Sequence, residues 1–175
     1  MELKGTIISL KPISLLEANE SYLSWLHDPQ VMQGIATSGY TLDNLKQYVS
    51  ARVNNPAVAF FAIWSNPTQE HIGNIKLEIQ DEKARVADLG LLIGNKNFWG
   101  KGVGKEACKL AIRYGFEQMH LRKIYLAVYE NNPGAKKLYE KLGFKLEGTL
   151  RKHVQVENHF YDKHLMGLFK NEFIS

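Results

Sequence analysis

The chain has 175 residues, of which 45% are hydrophobic and 23% are charged, and its net charge is +4. These values predict a single globular domain over residues 1–175 and exclude disordered and low-complexity chains. No apolar run reaches the ~18 residues of a membrane span, and no apolar signal segment follows Met1, so we expect a cytoplasmic protein with no membrane partner. The single cysteine, Cys108, excludes an internal disulfide.

Hydrophobic spacing and turn residues predict mixed helices and strands in the first half of the chain. Ser14 and Glu17 have the spacing of a capping box at the start of a helix, and Asp28-Pro29 interrupts that helix. The predicted elements are a strand at 5–10, a helix at 14–26, a short helix and loop at 30–39, a helix at 41–53 and a hairpin with strands at 58–64 and 71–80.

The second half of the chain alternates strands and helices more regularly. The predicted elements are a strand at 85–94, a helix at 103–119, a strand at 123–129, a helix at 133–142 and two tail strands that start at residue 144 and turn near 157–158. This order predicts an α/β fold with one sheet, in which the loop after residue 94 leaves the carboxyl end of a central strand.

That loop carries three glycines at alternate positions, Gly100, Gly102 and Gly104, immediately before a helical pattern. Glycine accepts positive φ and lets backbone approach a ligand closely, and the N–H groups that begin a helix attract an anion. The loop therefore predicts a phosphate-binding site. An ordinary turn between a strand and a helix is the alternative interpretation.

Two better-known phosphate loops are excluded by spacing. A dinucleotide fingerprint would need glycine in place of Lys105, and a nucleotide P-loop would need glycine in place of Trp99 and serine or threonine in place of Glu106. The spacing therefore favours a phosphate that stays attached to its ligand, in preference to a phosphate that the protein transfers. Lysines crowd the middle and late segments, which favours a small polyanion over nucleic acid because neither a reading helix nor an aromatic platform accompanies them.

The six histidines show no spacing typical of metal ligands, so we predict no metal site. Two blocks, 100–107 and 132–144, separated by a strand, together resemble the GNAT (Gcn5-related) N-acetyltransferase superfamily. The branch with tryptophan at the position of Trp99 includes ribosomal-protein N-terminal and spermidine acetyltransferases. Residues 25–29, 148–151 and 161–162 extend the resemblance to this branch over nearly the whole chain.

The resemblance implies the GNAT fold, a mixed and mostly antiparallel sheet flanked by helices, with a V-shaped gap between the strands at 85–94 and 123–129. It also implies acetyl coenzyme A as donor, lying in that gap. The pyrophosphate would bind the loop amides, and the pantetheine arm would pair with exposed backbone and with an asparagine. The positions that match are Gly100, Lys101, Gly102, Val103, Gly104 and Lys105 for the pyrophosphate, and Leu92, Ile93 and Asn132 for the arm.

Tyr139 matches the family's tyrosine near the thioester sulfur. A tyrosine of pKa ~10 that protonates a thiolate of pKa ~8.5 does so at a cost of about 2 kcal/mol, so its whole role can be hydrogen bonding. Asp88 and Glu78 are the candidate bases for the acceptor amine, and a chain of water molecules is the third candidate. Trp25, Asp28 and Tyr40 are candidates for the acceptor wall, although a tryptophan on a helix face, such as Trp25, more often belongs to the core.

The acceptor that we expect is a small-molecule amine, first of all an amino sugar, free or nucleotide-linked. A protein amino terminus comes second. A polyamine comes third because the positive net charge disfavours a polycation, an order that an acidic acceptor pocket would reverse. A non-catalytic coenzyme A sensor on the same fold is a further alternative. Exposed strands in the tail allow pairing into a homodimer.

Overall fold

A computed structural model describes residues 1–33 and 39–174 of the chain. The helices are α1 (Glu20–His27), α2 (Pro29–Met32), α3 (Leu42–Val53), α4 (Val103–Glu117) and α5 (Pro133–Lys141). The strands are β1 (Leu3–Lys4), β2 (Ile8–Pro12), β3 (Val58–Ser65), β4 (His71–Asp81), β5 (Val86–Ile93), β6 (Lys123–Tyr129), β7 (Lys145–Val156) and β8 (His159–Phe169). Within the described residues these eight strands form one sheet, in the order β1-β2-β3-β4-β5-β6-β8-β7.

The largest error in the predicted elements concerns the first helix, which begins at Glu20 and not at residue 14. Ser14 and Glu17 do interact, since the Ser14 amide and hydroxyl both donate to the Glu17 carboxylate at 2.7 Å, but they close a turn. The helix is capped instead by Asn19, whose side chain accepts from the amides of Ser21 and Tyr22. Part of the predicted element at 30–39 lies outside the described residues.

The predicted V-shaped gap is confirmed by the pairing of β5 and β6. The two strands run parallel and pair over three residues only, Val86–Asp88 against Lys123–Tyr125. Beyond Asp88, β5 continues beside β4, and β6 continues beside β8. The two halves of the sheet therefore splay apart towards the carboxyl end of β5.

Helices cover both faces of the sheet and divide the β5 side chains between two cores. Leu89, Leu91 and Ile93 belong to the core that α4 covers. Leu92, which lies on the same side of β5 as Gly90, packs with the core under α1 and α3. Cys108 is fully buried on α4, and this burial raises the pKa of its thiol to about 12, so it is a packed and unreactive group.

Two further features of the described residues concern ligands and partners. No helix among them is long and apolar enough to cross a bilayer, and no group of three or more His, Cys, Asp or Glu side chains is placed to hold a metal ion.

The sheet ends in β7, whose exposed side chains include Leu146 and Leu150. Pairing of two copies through this edge stays a prediction.

Trp25 lies in the core at 8% exposure, which is the more common placement for a tryptophan on a helix face, and not in the acceptor wall that was the other candidate. A Cβ atom at Gly94 would overlap the Trp25 ring. We therefore expect Gly94→Ala to lower the free energy of unfolding by about 1–3 kcal/mol because the core is overpacked. Urea denaturation measures this. Gly148→Ala is the matched control, since a Cβ there meets nothing within 4 Å, and equal stabilities of the two variants would contradict the prediction.

Candidate functional site

A groove of about 730 Å³ follows the gap between β5 and β6. The glycine-rich loop and the start of α4 line one end. Tyr139 and Asn132 line the β6 side, and side chains from α1, α3 and β4 line the floor on the other face of the sheet. The splay of the strands thus places the predicted phosphate loop and the predicted catalytic tyrosine in one continuous cavity.

The loop has the conformation that its glycines predict. Gly100 and Gly102 adopt φ of +73° and +80°. Gly102 is the N-cap of α4 and provides no side-chain hydrogen bond, which leaves the amides of the first turn, on Val103, Gly104 and Lys105, for an anion. All of these residues line the groove. Lys101 does not line the groove, and its ammonium lies 5.7 Å from the Phe98 ring centroid.

Glu106 anchors this loop, a role that its sequence position alone does not predict. Its carboxylate accepts hydrogen bonds from the amides of Thr6, Ile7 and Ile8 at 2.6, 2.9 and 3.1 Å. These contacts tie the N-terminal segment to the first turn of α4. Three amide donors also satisfy a negative charge that would otherwise stand unpaired beside a phosphate site.

The hydrogen-bond register of β5 decides which backbone groups face the gap. The Gly94 amide donates to the Ile72 carbonyl, so the alternation of an antiparallel ladder directs Leu92 towards β4 and directs Leu91 and Ile93 towards the gap. The Leu92 backbone groups thus pair with β4, whereas those of Leu91 are free for a ligand in the gap; both residues line the groove, and the pantetheine contact expected at Leu92 stays a prediction. The Ile93 carbonyl accepts from the Trp99 indole at 2.8 Å, which leaves the Ile93 amide as the group directed to the gap.

Asn132 and Tyr139 approach the groove from α5. The Oδ1 atom of Asn132 caps the helix by accepting from the Ala135 amide at 3.1 Å, which leaves its NH₂ group as donor to a ligand. Tyr139 is 7% exposed, and its ring lies against Phe144. Burial, with smaller contributions from Cys108 and Asp88, raises the pKa of Tyr139 far above its ordinary value, so the hydroxyl keeps its proton.

Asp88 lies at the vertex of the gap, as the last β5 residue that pairs with β6. It lines the groove. Burial raises the pKa of its carboxyl group; Lys76 opposes this shift, Glu78 adds to it and Lys163 opposes it. A carboxylate with a raised pKa accepts a proton from an acceptor amine more readily than an ordinary aspartate does.

Glu78 sits opposite Asp88 on β4 but does not line the groove. Its carboxylate contacts the Lys76 ammonium at 2.5 Å and the Arg52 guanidinium at 3.4 Å. Burial would raise the pKa of Glu78, but the hydrogen bond and charge of Lys76 and the charge of Arg52 outweigh it and lower the pKa. Glu78 is therefore bound as an ion-pair partner and is a poor base.

The part of the groove under α1 and α3 has an aromatic wall made of Tyr22, Tyr40, Tyr48 and Phe60. Asp28, a predicted wall residue, is instead the N-cap of α2 and forms an ion pair with Lys96 at 2.6 Å. Charged residues are few among the described groove residues, which include one carboxylate, Asp88, and two lysines, Lys76 and Lys105. This end of the groove is not acidic.

Comparison with known proteins points to one family. A family model described as an acetyltransferase (GNAT) domain matches residues 8–145. An uncharacterised N-acetyltransferase of Bacillus licheniformis is 27% identical over 170 residues, which are 95% of this chain and 94% of that protein. A spermidine N(1)-acetyltransferase of Escherichia coli is 31% identical over 106 residues, which are 61% of this chain and 56% of that protein.

The fold comparison agrees. A spermidine N-acetyltransferase from Vibrio cholerae, solved in complex with CoA and spermine, superimposes with a TM-score of 0.88 at 22% identity. The superposition covers 98% of this chain and 100% of that one. The two chains therefore share one fold over nearly their whole lengths.

Proposed function

Since this chain belongs to the acetyltransferase (GNAT) domain family and is an N-acetyltransferase, we propose that it moves an acetyl group from acetyl coenzyme A to the primary amine of a small molecule. The observation that carries this proposal is the single groove in which an uncapped helix N-terminus, an open strand edge, Tyr139 and Asp88 come together. Acetyl coenzyme A supplies the activated thioester, and the protein supplies placement and electrostatics.

The donor fits the groove at three points. The amides of Val103 to Lys105 suit the pyrophosphate, the gap-facing backbone of Leu91 and the Ile93 amide suit the pantetheine arm, and the Asn132 amide group suits an oxygen of the same arm. Each group is a backbone or side-chain hydrogen-bonding group that lines one cavity. A sensor would share these features, so turnover separates the two functions.

Asp88 and Tyr139 divide the chemistry between them. The lone pair of the neutral acceptor amine forms the C–N bond to the acetyl carbon, and Asp88 takes one proton from that nitrogen as the bond forms. The C–S bond breaks and leaves its electron pair on sulfur, so the products are the amide, the protonated Asp88 carboxyl group and the coenzyme A thiolate. Tyr139 donates a hydrogen bond to the sulfur that receives the electron pair. Glu78 serves as a positioning residue, because it holds Lys76 in an ion pair on the same face of the sheet as Asp88.

The acceptor that the groove favours is an amino sugar, free or nucleotide-linked. A polyamine needs several carboxylates along its length, whereas the described groove residues provide only Asp88, and residues 34–38 contain no ionisable side chain. The aromatic wall suits the apolar face of a sugar ring. A polyamine is the second candidate, because relatives such as that of Escherichia coli are named spermidine acetyltransferases.

An acceptor panel tests the proposal. Purified protein is incubated with acetyl coenzyme A and amino sugars, nucleotide-linked amino sugars, polyamines or amino-terminal peptides, and thiol release and product mass are followed together. Turnover of the amino sugars is the expected result. Coenzyme binding without any turnover would favour the sensor, and absence of coenzyme binding would contradict the donor site.

Gly102→Val tests the phosphate loop. Valine at φ +80° strains the loop and moves the first-turn amides, so we expect coenzyme A binding to weaken about 10-fold or more. Isothermal titration calorimetry measures the Kd, and a thermal melt checks that the domain is folded. Gly148→Val on β7 is the matched control and should bind like the wild type. Unchanged affinity in Gly102→Val would remove the loop from the site.

A further inference from the structure

Asn74, on β4, is a buried polar residue in the acceptor half of the groove that no step above uses. It is 3% exposed and lines the groove. Its Nδ2 atom is buried and has no hydrogen-bond partner within the described part of the chain. Two other buried atoms share this condition, Trp64 Nε1 and Asn131 Oδ1, but neither residue lines the groove. A buried donor without an acceptor is costly, so an oxygen atom from the groove, of a ligand or of the water that the ligand displaces, must accept from it.

The orientation of the Asn74 amide follows from its neighbour His71. The His71 Nε2 atom lies 3.0 Å from the Gly73 carbonyl oxygen and 3.0 Å from Asn74 Oδ1. A carbonyl oxygen only accepts, so Nε2 carries the hydrogen, and the amide atom that faces it must be the oxygen. The NH₂ group is thereby left as the unused donor of Asn74.

The His71 ring is held in this arrangement by aromatic packing. Tyr22, Trp25 and Trp64 surround it, with ring centroids 6.3, 5.0 and 5.7 Å away. Burial lowers the pKa of His71, although its hydrogen bonds to Asn74 and Gly73 oppose this shift. With the ring fixed, rotation of the Asn74 amide would place its NH₂ group against the Nε2 hydrogen, so the donor cannot be turned inward.

Lys76 gives the groove floor a second donor. It stands two residues after Asn74, on the same face of β4 and about 7 Å further along the strand, and it lines the groove too. Its ammonium has three hydrogens, and the carboxylate of Glu78 is a partner at 2.5 Å. Along the groove floor, the donors Asn74 and Lys76 on β4 are therefore followed by the proton acceptor Asp88 on β5.

We infer that Asn74 is a specificity-determining residue whose NH₂ group binds a hydroxyl or carbonyl oxygen of the acceptor, so that the acceptor class is an oxygen-bearing amine such as an amino sugar. A protonated polyamine contains only donors and would leave the Asn74 donor unpaired. This inference rests on the proposed function and deepens it.

Asn74→Asp is the discriminating variant. Aspartate keeps an oxygen to accept from His71 and has the shape of asparagine, but it replaces the unpartnered NH₂ donor by an oxygen. We expect kcat/KM for an amino sugar to fall about 10- to 100-fold, with the KM for acetyl coenzyme A unchanged. The ratio of kcat/KM for spermidine to that for the amino sugar should rise.

Deoxy analogues of the amino sugar complete the test without depending on the folding of a variant. With the wild-type enzyme, one deoxy position should lower kcat/KM by the same 10- to 100-fold, and in Asn74→Asp that analogue should lose little more. The inference is overturned if every deoxy analogue reacts like its parent, or if spermidine or a peptide is the only acceptor that turns over. Coenzyme A titration of the same samples reports the donor site separately, so the two proposals fail independently.

Discussion

Asp88→Asn is expected to lower kcat by about 10²- to 10⁴-fold, the range typical of losing a general base. Asparagine keeps the size of the side chain at the vertex of the gap but cannot take a proton from the acceptor amine. Steady-state kinetics with the best acceptor of the panel measures the loss. The Kd for coenzyme A should stay near that of the wild type, because the phosphate loop and the strand edge are untouched.

Asp81→Asn is the control for Asp88→Asn. Asp81 lies at the end of β4, outside the described groove lining, and accepts from the Ala84 amide, which asparagine can also do. The same change of charge on the same sheet should therefore leave kcat unchanged. If Asp88→Asn matched this control, a chain of water molecules would replace Asp88 as the route for the proton.

The environment of Asp88 predicts the pH dependence of the reaction. A base must be deprotonated, so kcat/KM should fall as the pH drops through the pKa of Asp88, and the raised pKa places this acid limb above the range of an ordinary aspartate. Burial and three charged groups set the pKa of Asp88: Lys76 and Glu78 on β4 and Lys163 on β8. The Asp88 carboxylate in turn raises the pKa of Tyr125 on β6 and of Tyr139 on α5, which face it.

Glu78→Gln tests this environment through a readout that a merely structural role would not move. The variant removes a negative charge that raises the pKa of Asp88 and releases Lys76, whose positive charge lowers it. Both changes lower the pKa of Asp88, so the acid limb of the pH profile should move to lower pH. A profile that stays in place, with kcat reduced at all pH values, would assign the proton transfer to Glu78 itself.

The features that the sequence predicted well are those carried by local spacing. The glycine loop and the helix after it follow from residues within one strand–loop–helix segment. The gap between β5 and β6 was expected from the resemblance to the acetyltransferase family and not from local spacing. The start of the first helix was predicted wrongly because local spacing does not decide it. The spacing of Ser14 and Glu17 is a helix start in form, and Asn19 has the same capping ability, so only the packing of Tyr22, Leu23 and Trp25 decides between them.

The site details that the sequence missed depend on distant partners or on strand register. A shift of one residue exchanges the two sides of a strand, so Leu92 and Leu91 cannot be told apart before the pairing with β4 is known. Glu78 is bound by Arg52 from α3, and Glu106 by amides of the N-terminal segment. The orphan donor of Asn74 depends in turn on the ring orientation of His71.

Tyr139→Phe is expected to lower kcat by about 10²- to 10³-fold, the effect typical of losing one hydrogen-bond donor to a developing charge. Phenylalanine retains the ring that packs against Phe144, so the groove keeps its shape and coenzyme A should bind with wild-type affinity. Tyr114→Phe removes a hydroxyl from a tyrosine on α4 that packs on Phe61 and is not among the described groove residues. This control should retain full activity.

The direction of the Tyr139 pKa shift decides between two roles for its hydroxyl. Burial raises the pKa, so complete transfer of the proton to the departing thiolate is more costly than from a free tyrosine, whereas a hydrogen bond from the neutral hydroxyl is not penalised. At high pH, the profile of kcat should then have the same shape in the wild type and in Tyr139→Phe. A basic limb lost in that variant would instead show that the hydroxyl gives up its proton, and unchanged kcat would exclude Tyr139 from the mechanism.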